Sequence, residues 1–203
     1  MSLKQKIVIL APLVLICVMY PIFRVYSIRY TENWRLGWLL GLMTYWLLWG
    51  VFFPLWIIGK KKILRMIRPQ RPNVKVLMLV AFPLFMASLY RLIPGMEYKK
   101  ASALTTLLLL ISTFGNGFFE EILWRGVPMQ LFPNSIFFRI IWPSVWFALW
   151  HYAPGSVSPS GNVIGLMVGA GVFGFYLSYL AKKTNTIWWC IVAHTLGGII
   201  MVV

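Results

Sequence analysis

The sequence GNGFFEEILWR, residues 115–125, places two glutamates side by side after the apolar run of residues 101–111. The whole chain has only four acidic residues, and Glu120 and Glu121 are two of them. A carboxylate near the hydrocarbon core costs about 2.5–3.5 kcal/mol on insertion scales, so a functional role is the default expectation. Glu121 and Arg125 are four residues apart on one helix face and can pair. Glu120 points about 100° away from Glu121, so its partner must come from another element.

The composition around this stretch predicts a membrane protein. Of the 203 residues, 60% are hydrophobic and 11% are charged, which excludes an ordinary soluble surface. We expect an all-α, polytopic transmembrane helical bundle of about seven spans. The predicted spans are residues 7–23, 34–58, 76–93, 101 to beyond 125, 136–152, 162–180 and 186–203.

The net charge of +15 comes from basic residues that lie between the apolar spans, so we expect no nucleic-acid partner. The densest group is the basic segment, residues 60–75, which we expect to lie on anionic lipid headgroups. Its seven basic residues are Lys60, Lys61, Lys62, Arg65, Arg68, Arg71 and Lys75. The positive-inside rule then predicts a protein of the cytoplasmic membrane with its N-terminus inside.

The chain divides on this interpretation into two parts. Residues 1–100 hold three spans and the basic segment, whereas residues 101–203 hold the adjacent Glu120 and Glu121 and both histidines. The second part is therefore predicted to be the catalytic core.

Only two histidines exist, His151 and His194, and both lie in apolar spans separate from the glutamates. A lone histidine in a membrane helix usually forms a hydrogen bond between helices. Two histidines and a carboxylate on three spans can instead activate water, as general bases or as metal ligands. No HExxH, GxSxG or aspartate is present. Two histidines and one glutamate are a minimal zinc set, which is compatible with zinc but not diagnostic.

The order of these residues resembles a known family, the CAAX-protease and bacteriocin-processing family of intramembrane endopeptidases, which includes the Abi proteins. The resemblance covers residues 101–203, and the first three spans match in character alone. Its motifs are Glu120-Glu121-x-x-x-Arg125, Phe147-x-x-x-His151 and a later histidine, His194.

The resemblance implies a role for each of these residues. Glu120 is implied to be the catalytic glutamate, with His151 as its partner in activating water. Glu121 and Arg125 are implied to form a supporting ion pair. His194 is implied to stabilise the oxyanion or to complete the site.

One position departs from the family pattern. The family often has an asparagine four residues after the last histidine, and here that residue is Gly198. Asn116, one turn before Glu120, is a candidate replacement as an oxyanion or auxiliary donor, and helix packing is an equal alternative. We expect a metal-free mechanism without a cofactor. The alternative is zinc held by Glu120, His151 and His194.

The predicted function is cleavage of a membrane-associated or lipid-anchored protein or peptide, with prenylated CAAX tails as one possible substrate class. A non-proteolytic scaffold or bacteriocin-immunity protein of the same fold is the alternative, and Gly198 favours it. A proton- or cation-coupled transporter is a third possibility, because intramembrane Glu and His also build proton relays. The absence of an internal repeat of the motif-bearing spans disfavours transport.

Overall fold

The computed structural model describes residues 1–92, 102–158 and 161–202, and within these ranges the regular structure is entirely helical. The α-helices are α1 (Leu3–Arg29), α2 (Trp34–Tyr45), α3 (Phe53–Ile57), α4 (Lys60–Met66), α5 (Val74–Arg91), α6 (Ala103–Gly115), α7 (Val127–Leu131), α8 (Trp142–Trp150), α9 (Tyr152–Gly155), α10 (Val163–Thr184) and α11 (Trp188–Val202). Wider π-helical turns occur at Trp46–Phe52, Asn116–Glu120, Ile122–Gly126 and Phe137–Ile141. A short 3₁₀ turn, Thr31–Asn33, precedes α2.

Among the described residues, four continuous helical runs are long and apolar enough to cross a bilayer, which confirms the predicted helical membrane bundle. They are Leu3–Arg29, Thr31–Ile57, Ala103–Leu131 and Val163–Thr184. The predicted third and seventh spans form the shorter apolar helices Val74–Tyr90 and Trp188–Met201. The predicted fifth span corresponds to Phe137–Ile141 followed by α8. Ile93, Ala101 and Val203, at the limits of predicted spans, lie outside the described residues.

Several helix ends meet at one end of the bundle. Lys4, near the start of α1, donates a hydrogen bond to the Ile57 carbonyl at the end of α3, at 2.7 Å. Gln5 donates to the Leu131 carbonyl at the end of α7, also at 2.7 Å. Because α4 begins three residues after Ile57, the basic segment starts at this same end. The cytoplasmic placement of this end stays a prediction.

A groove opens between α5 and α10, and we call it the basic groove. Its volume is about 660 Å³. Its lining residues are Asn73, Lys75, Val76, Met78, Leu79, Phe82, Tyr176, Tyr179, Lys183 and Thr184, with no acidic side chain among them. Thr186 donates to the Met66 carbonyl at 2.7 Å and so ties the turn after α10 to the end of α4. The groove therefore opens beside the basic segment.

The main hydrophobic core draws on both halves of the sequence. Its buried members are Leu15, Met19, Phe23, Leu39, Leu42, Tyr45 and Trp46 from the first half, and Leu123, Trp124, Phe147, Trp150 and Ala153 from the second. The residues on either side of position 100 thus pack into one core. The first half of the chain lies directly against the helices that carry the glutamates.

Candidate active site

The glutamates lie in a stretch of helix with unusual backbone hydrogen bonding. Between α6 and α7 the chain forms two π turns, Asn116–Glu120 and Ile122–Gly126. The N–H of Val127 donates to the carbonyl of Ile122, five residues earlier, instead of four. Single π turns within α-helices occur frequently at functional sites. Both glutamates are completely enclosed at this point, with 1% of Glu120 and none of Glu121 exposed.

Arg125 forms an enclosed ion pair with Glu121. Its Nη1 lies 3.0 Å from Glu121 Oε1, and both side chains are buried. The guanidinium carbon also lies 4.4 Å from the centre of the Phe147 ring, a cation–π contact. A Cβ at Gly174 of α10 would lie 3.1 Å from Arg125 Nη2 and 2.8 Å from Phe147. The close approach of α10 to the arginine therefore requires glycine at this position.

His194 lies between the two glutamates. Its Nδ1 is 2.7 Å from Glu121 Oε1, and its Nε2 is 3.9 Å from Glu120 Oε2. A carboxylate accepts hydrogen bonds, so Nδ1 carries a proton and donates to Glu121. Nε2 is then the atom that faces Glu120. A distance of 3.9 Å is too long for a direct hydrogen bond and suits two groups that share one water molecule.

Glu120 uses its two oxygens differently. Trp150 Nε1 donates to Oε1 at 3.2 Å. Oε2 is buried and has no hydrogen-bond partner among the residues that the structure describes. It faces His194 Nε2 at 3.9 Å, so the unpartnered oxygen points to the gap between the glutamate and the histidine. A buried acceptor left in this state is costly unless a water or a ligand satisfies it.

His151 lies at the end of α8, one residue after Trp150. Its Nδ1 is 2.7 Å from the Phe147 carbonyl, which can only accept, so Nδ1 carries the proton and Nε2 is free. Its ring packs edge-on against Phe147, with centroids 4.6 Å apart. Among the described residues, the polar contacts of Glu120 are with Trp150 and His194 and not with His151. Pairing between Glu120 and His151, expected from the sequence, is therefore absent from this arrangement.

Asn116 begins the first π turn. The indole N–H of Trp46 donates to Asn116 Oδ1 at 3.0 Å. Because an indole can only donate, the amide oxygen faces Trp46, and Nδ2 is the group left to donate. Gly117, the next residue, lets α11 approach, since a Cβ there would lie 2.1 Å from Thr195 Oγ1. A catalytic role for Asn116 stays a prediction.

Comparison with known proteins points to the same half of the chain. Residues 102–200 match a family model described as Type II CAAX prenyl endopeptidase Rce1-like. The second half of the chain is thus similar to this family. The predicted resemblance is confirmed, and because the family consists of intramembrane proteases, the match supports peptidase activity. No curated protein and no solved structure matches the chain significantly.

The departure at Gly198 has a steric cause in this Rce1-like region. A Cβ at Gly198 of α11 would lie 2.6 Å from Thr113 Cγ2 of α6. Threonine is branched at Cβ and cannot easily rotate its methyl group away. An asparagine at position 198 would therefore collide with α6. Glycine here serves the contact between the two helices.

The zinc alternative finds little support in the side-chain positions of the Rce1-like region. Among the described residues, no three His, Cys, Asp or Glu side chains are grouped so that they could hold a metal ion. Glu120 Oε2 and His194 Nε2 are 3.9 Å apart, and the hydrogen bond of the His151 side chain is with the Phe147 carbonyl of its own helix. The three residues named as possible zinc ligands are thus not grouped as a metal site among the described residues, and the choice between a metal-free and a zinc mechanism stays a prediction.

Trp150 is the site residue that sequence reasoning missed. It occupies the position before His151 in an apolar span, where eleven tryptophans are spread along the whole chain. The available signal was chemical, because an indole N–H buried in a membrane bundle needs an acceptor and the chain has very few carboxylates.

Proposed function

We propose that the protein is an intramembrane endopeptidase in which Glu120 activates a water molecule. One observation carries this proposal. The buried Oε2 of Glu120 has no hydrogen-bond partner among the described residues and lies 3.9 Å from His194 Nε2. A water beside the two atoms, within hydrogen-bond distance of each, would satisfy both. This water would be the nucleophile.

In this mechanism Glu120 accepts a proton from the water as its oxygen attacks the scissile carbonyl, and later gives that proton to the leaving amine. His194 donates from Nε2 to the oxyanion that forms, while Glu121 holds its Nδ1–H. With His194 protonated, the charges of Glu120, Glu121, Arg125 and His194 sum to zero. Charge balance of this kind favours ionised groups within a low-dielectric interior.

His151 has an assisting role in this proposal. Its Nδ1–H is held by the Phe147 carbonyl, so Nε2 is left as an acceptor. Asn116 Nδ2 is an auxiliary donor, held by Trp46 from the other side. No step requires a cofactor.

The proposed substrate is a membrane-associated or lipid-anchored protein or peptide, and the family name makes a prenylated CAAX tail the first class to test. The site lies inside a bundle whose helices are long and apolar, so in this proposal a substrate with a lipid anchor approaches from the membrane. Anionic lipid at the basic segment, and a cytoplasmic membrane with the N-terminus inside, are part of the same proposal.

The test is a cleavage assay on purified protein with a farnesylated CAAX peptide and, in parallel, a signal-like membrane peptide. Glu120→Gln removes the base and keeps the shape, so we expect a loss of about 10²–10⁴-fold in kcat. Glu32→Gln makes the same change at an exposed glutamate and is the matched control. Cleavage that survives Glu120→Gln refutes the assignment. Activity that is lost on chelation and restored by zinc refutes the metal-free mechanism.

A non-proteolytic scaffold or immunity function is the second candidate, and Gly198 is the observation that favours it. The position that usually carries an asparagine is here closed by Thr113. If the protein protects its host or partner after Glu120, His151 and His194 have all been replaced, the scaffold function is correct and the peptidase proposal is wrong.

A further inference from the structure

Trp150 is the group that directly orients Glu120. Its indole N–H donates to Oε1 at 3.2 Å, and no part of the side chain is exposed. An indole has one donor and no acceptor, so it can only donate to Glu120. This contact stabilises the ionised carboxylate more than the protonated acid. Because Oε1 is held, Oε2 is the oxygen left to face His194. Trp150 therefore determines which oxygen of Glu120 reaches the gap.

The position of Trp150 depends on aromatic residues from the first half of the chain. Tyr45 of α2 stacks on Trp150, with ring centroids 4.1 Å apart and planes 25° apart. Phe23 of α1 meets Trp150 edge-on at 6.0 Å. All three side chains have no exposed surface. Packed aromatic pairs of this geometry stabilise each other beyond the area that they bury.

Tyr45 is itself fixed by a hydrogen bond to the glutamate-bearing helix. Trp124 Nε1 donates to the Tyr45 hydroxyl at 2.9 Å. Gly41 of α2 permits the packing, since a Cβ there would lie 2.6 Å from the Phe23 ring. The contacts thus run from the Glu120 helix to Tyr45, from Tyr45 to Trp150, and from Trp150 back to Glu120.

We propose that Trp150 is a positioning residue for Glu120 and that Tyr45, from outside the family-matched region, positions Trp150. The inference rests on the proposed function, because it concerns the same carboxylate. It assigns the first half of the chain a part in catalysis: α1 and α2 hold the ring that aims the base. Glu120 is the catalytic residue, and Trp150 and Tyr45 act through it.

The decisive variant replaces Trp150 by 3-benzothienylalanine, in which sulfur takes the place of the indole N–H and the shape is kept. Loss of a hydrogen bond to a charged group predicts a kcat lower by about ten- to hundredfold. KM should be unchanged, because the lost contact aims the base and does not bind substrate. Trp150→Phe should lower kcat at least as far. If that variant does not fold, the sulfur analogue decides alone.

Trp49→Phe is the matched control. Trp49 Nε1 is buried and makes no hydrogen bond among the described residues, so its loss should leave kcat and KM unchanged. A sulfur analogue of Trp150 with the kcat of the wild type refutes the positioning role. A sulfur analogue of Trp150 that changes KM and kcat by the same factor also refutes the positioning role. Glu120→Gln, assayed on the same substrate, separates the two proposals: if that variant is active, the proposed function itself fails.

Tyr45 supplies a second, independent arm. Tyr45→Phe keeps the ring that stacks on Trp150 and loses the hydrogen bond from Trp124, so its kcat should fall less than that of Tyr45→Leu. Tyr45→Leu removes the stack and should lower kcat by up to about tenfold, again without a change in KM. A loss of kcat in Tyr45→Phe equal to that in Tyr45→Leu contradicts positioning through the ring.

Discussion

At the scale of single residues, the two adjacent glutamates have separate tasks. Glu121 accepts from both Arg125 and His194 through its Oε1, at 3.0 and 2.7 Å, and its Oε2 has no hydrogen-bond partner among the described residues. Glu120 has one donor, Trp150, and one free oxygen. Because Arg125 and His194 both lie within hydrogen-bond distance of Glu121 and neither lies within that distance of Glu120, Glu121 is suited to hold the site together and Glu120 to react.

Arg125→Ala tests this division of labour. Removing one partner of a buried ion pair leaves an uncompensated charge, at a cost of about 3–5 kcal/mol. We expect Arg125→Ala to lower folded yield and thermal stability in detergent as well as activity. Glu120→Gln should lower activity alone. Arg24→Ala, at an exposed arginine, is the control for the substitution itself. Equal losses of stability in Arg125→Ala and Glu120→Gln would contradict the assignment.

His194→Ala tests the other donor at the same scale. If His194 donates to the oxyanion, its loss should lower kcat by about 10²–10³-fold. The variant also removes a hydrogen-bond donor to the buried Glu121, so some loss of thermal stability should accompany it. Cleavage kinetics and melting temperature are measured on the same preparation. A variant that keeps the kcat of the wild type would exclude His194 from the chemistry.

At the scale of helices, small residues fix how closely the site-bearing elements approach. Gly174 allows α10 to approach Arg125 closely. Gly117 allows α11 to contact the first π turn, and Gly198 allows α11 to contact α6. Close approach through small residues is the usual basis of helix packing in membranes. The distance between His194 and the glutamates therefore depends on residues that take no part in chemistry.

Gly198→Ala and Gly197→Ala form a matched pair on α11. A Cβ at position 198 would lie 2.6 Å from Thr113, whereas at position 197 the nearest atom, in Leu84, is 3.9 Å away. Overpacking typically costs about 1–3 kcal/mol, so Gly198→Ala should lower the melting temperature and Gly197→Ala should not. Adding Thr113→Gly to Gly198→Ala should restore part of the loss. Equal effects at the two glycines would contradict the packing explanation.

The sequence predicted the helices and the Glu121–Arg125 geometry because both depend on local spacing. Apolar runs define spans, and an i,i+4 pair is neighbouring on any helix. The partners of Glu120 were beyond such reasoning. Trp150 and His194 approach it only because α8 and α11 pack against the glutamate helix, and no spacing along the chain encodes that contact. The π turns were also missed, since a shift in backbone bonding has no residue signature comparable to proline.

At the scale of the whole molecule, the excess of basic over acidic residues is visible at the basic groove between α5 and α10. The basic groove joins Lys75 and Lys183 without an acidic neighbour in its lining. The chain has nineteen basic and four acidic residues, so counter-charge must come from outside the protein. Anionic lipid headgroups supply such charge at a membrane surface.

Replacing both groove lysines tests this consequence. Lys75→Gln with Lys183→Gln should lower the amount of phosphatidylglycerol retained by the purified protein, measured by native mass spectrometry or lipid extraction. The control is Arg24→Gln with Arg29→Gln. It removes the same charge from exposed positions near the C-terminal end of α1, outside the groove lining. Equal lipid loss in the two double variants would show that total charge, and not the groove, governs retention.

The ion pair between Glu121 and Arg125 also bears on how the protein enters the membrane. Membrane helices insert first and associate afterwards. Because both partners belong to one helix, they can cross the interface together as a neutral unit, before any other span arrives. Glu120 has no such companion on its own helix and gains its contacts only when α8 and α11 pack against it. Glu121 thus enters the membrane already paired with Arg125. Glu120 gains its polar contacts only when the bundle assembles.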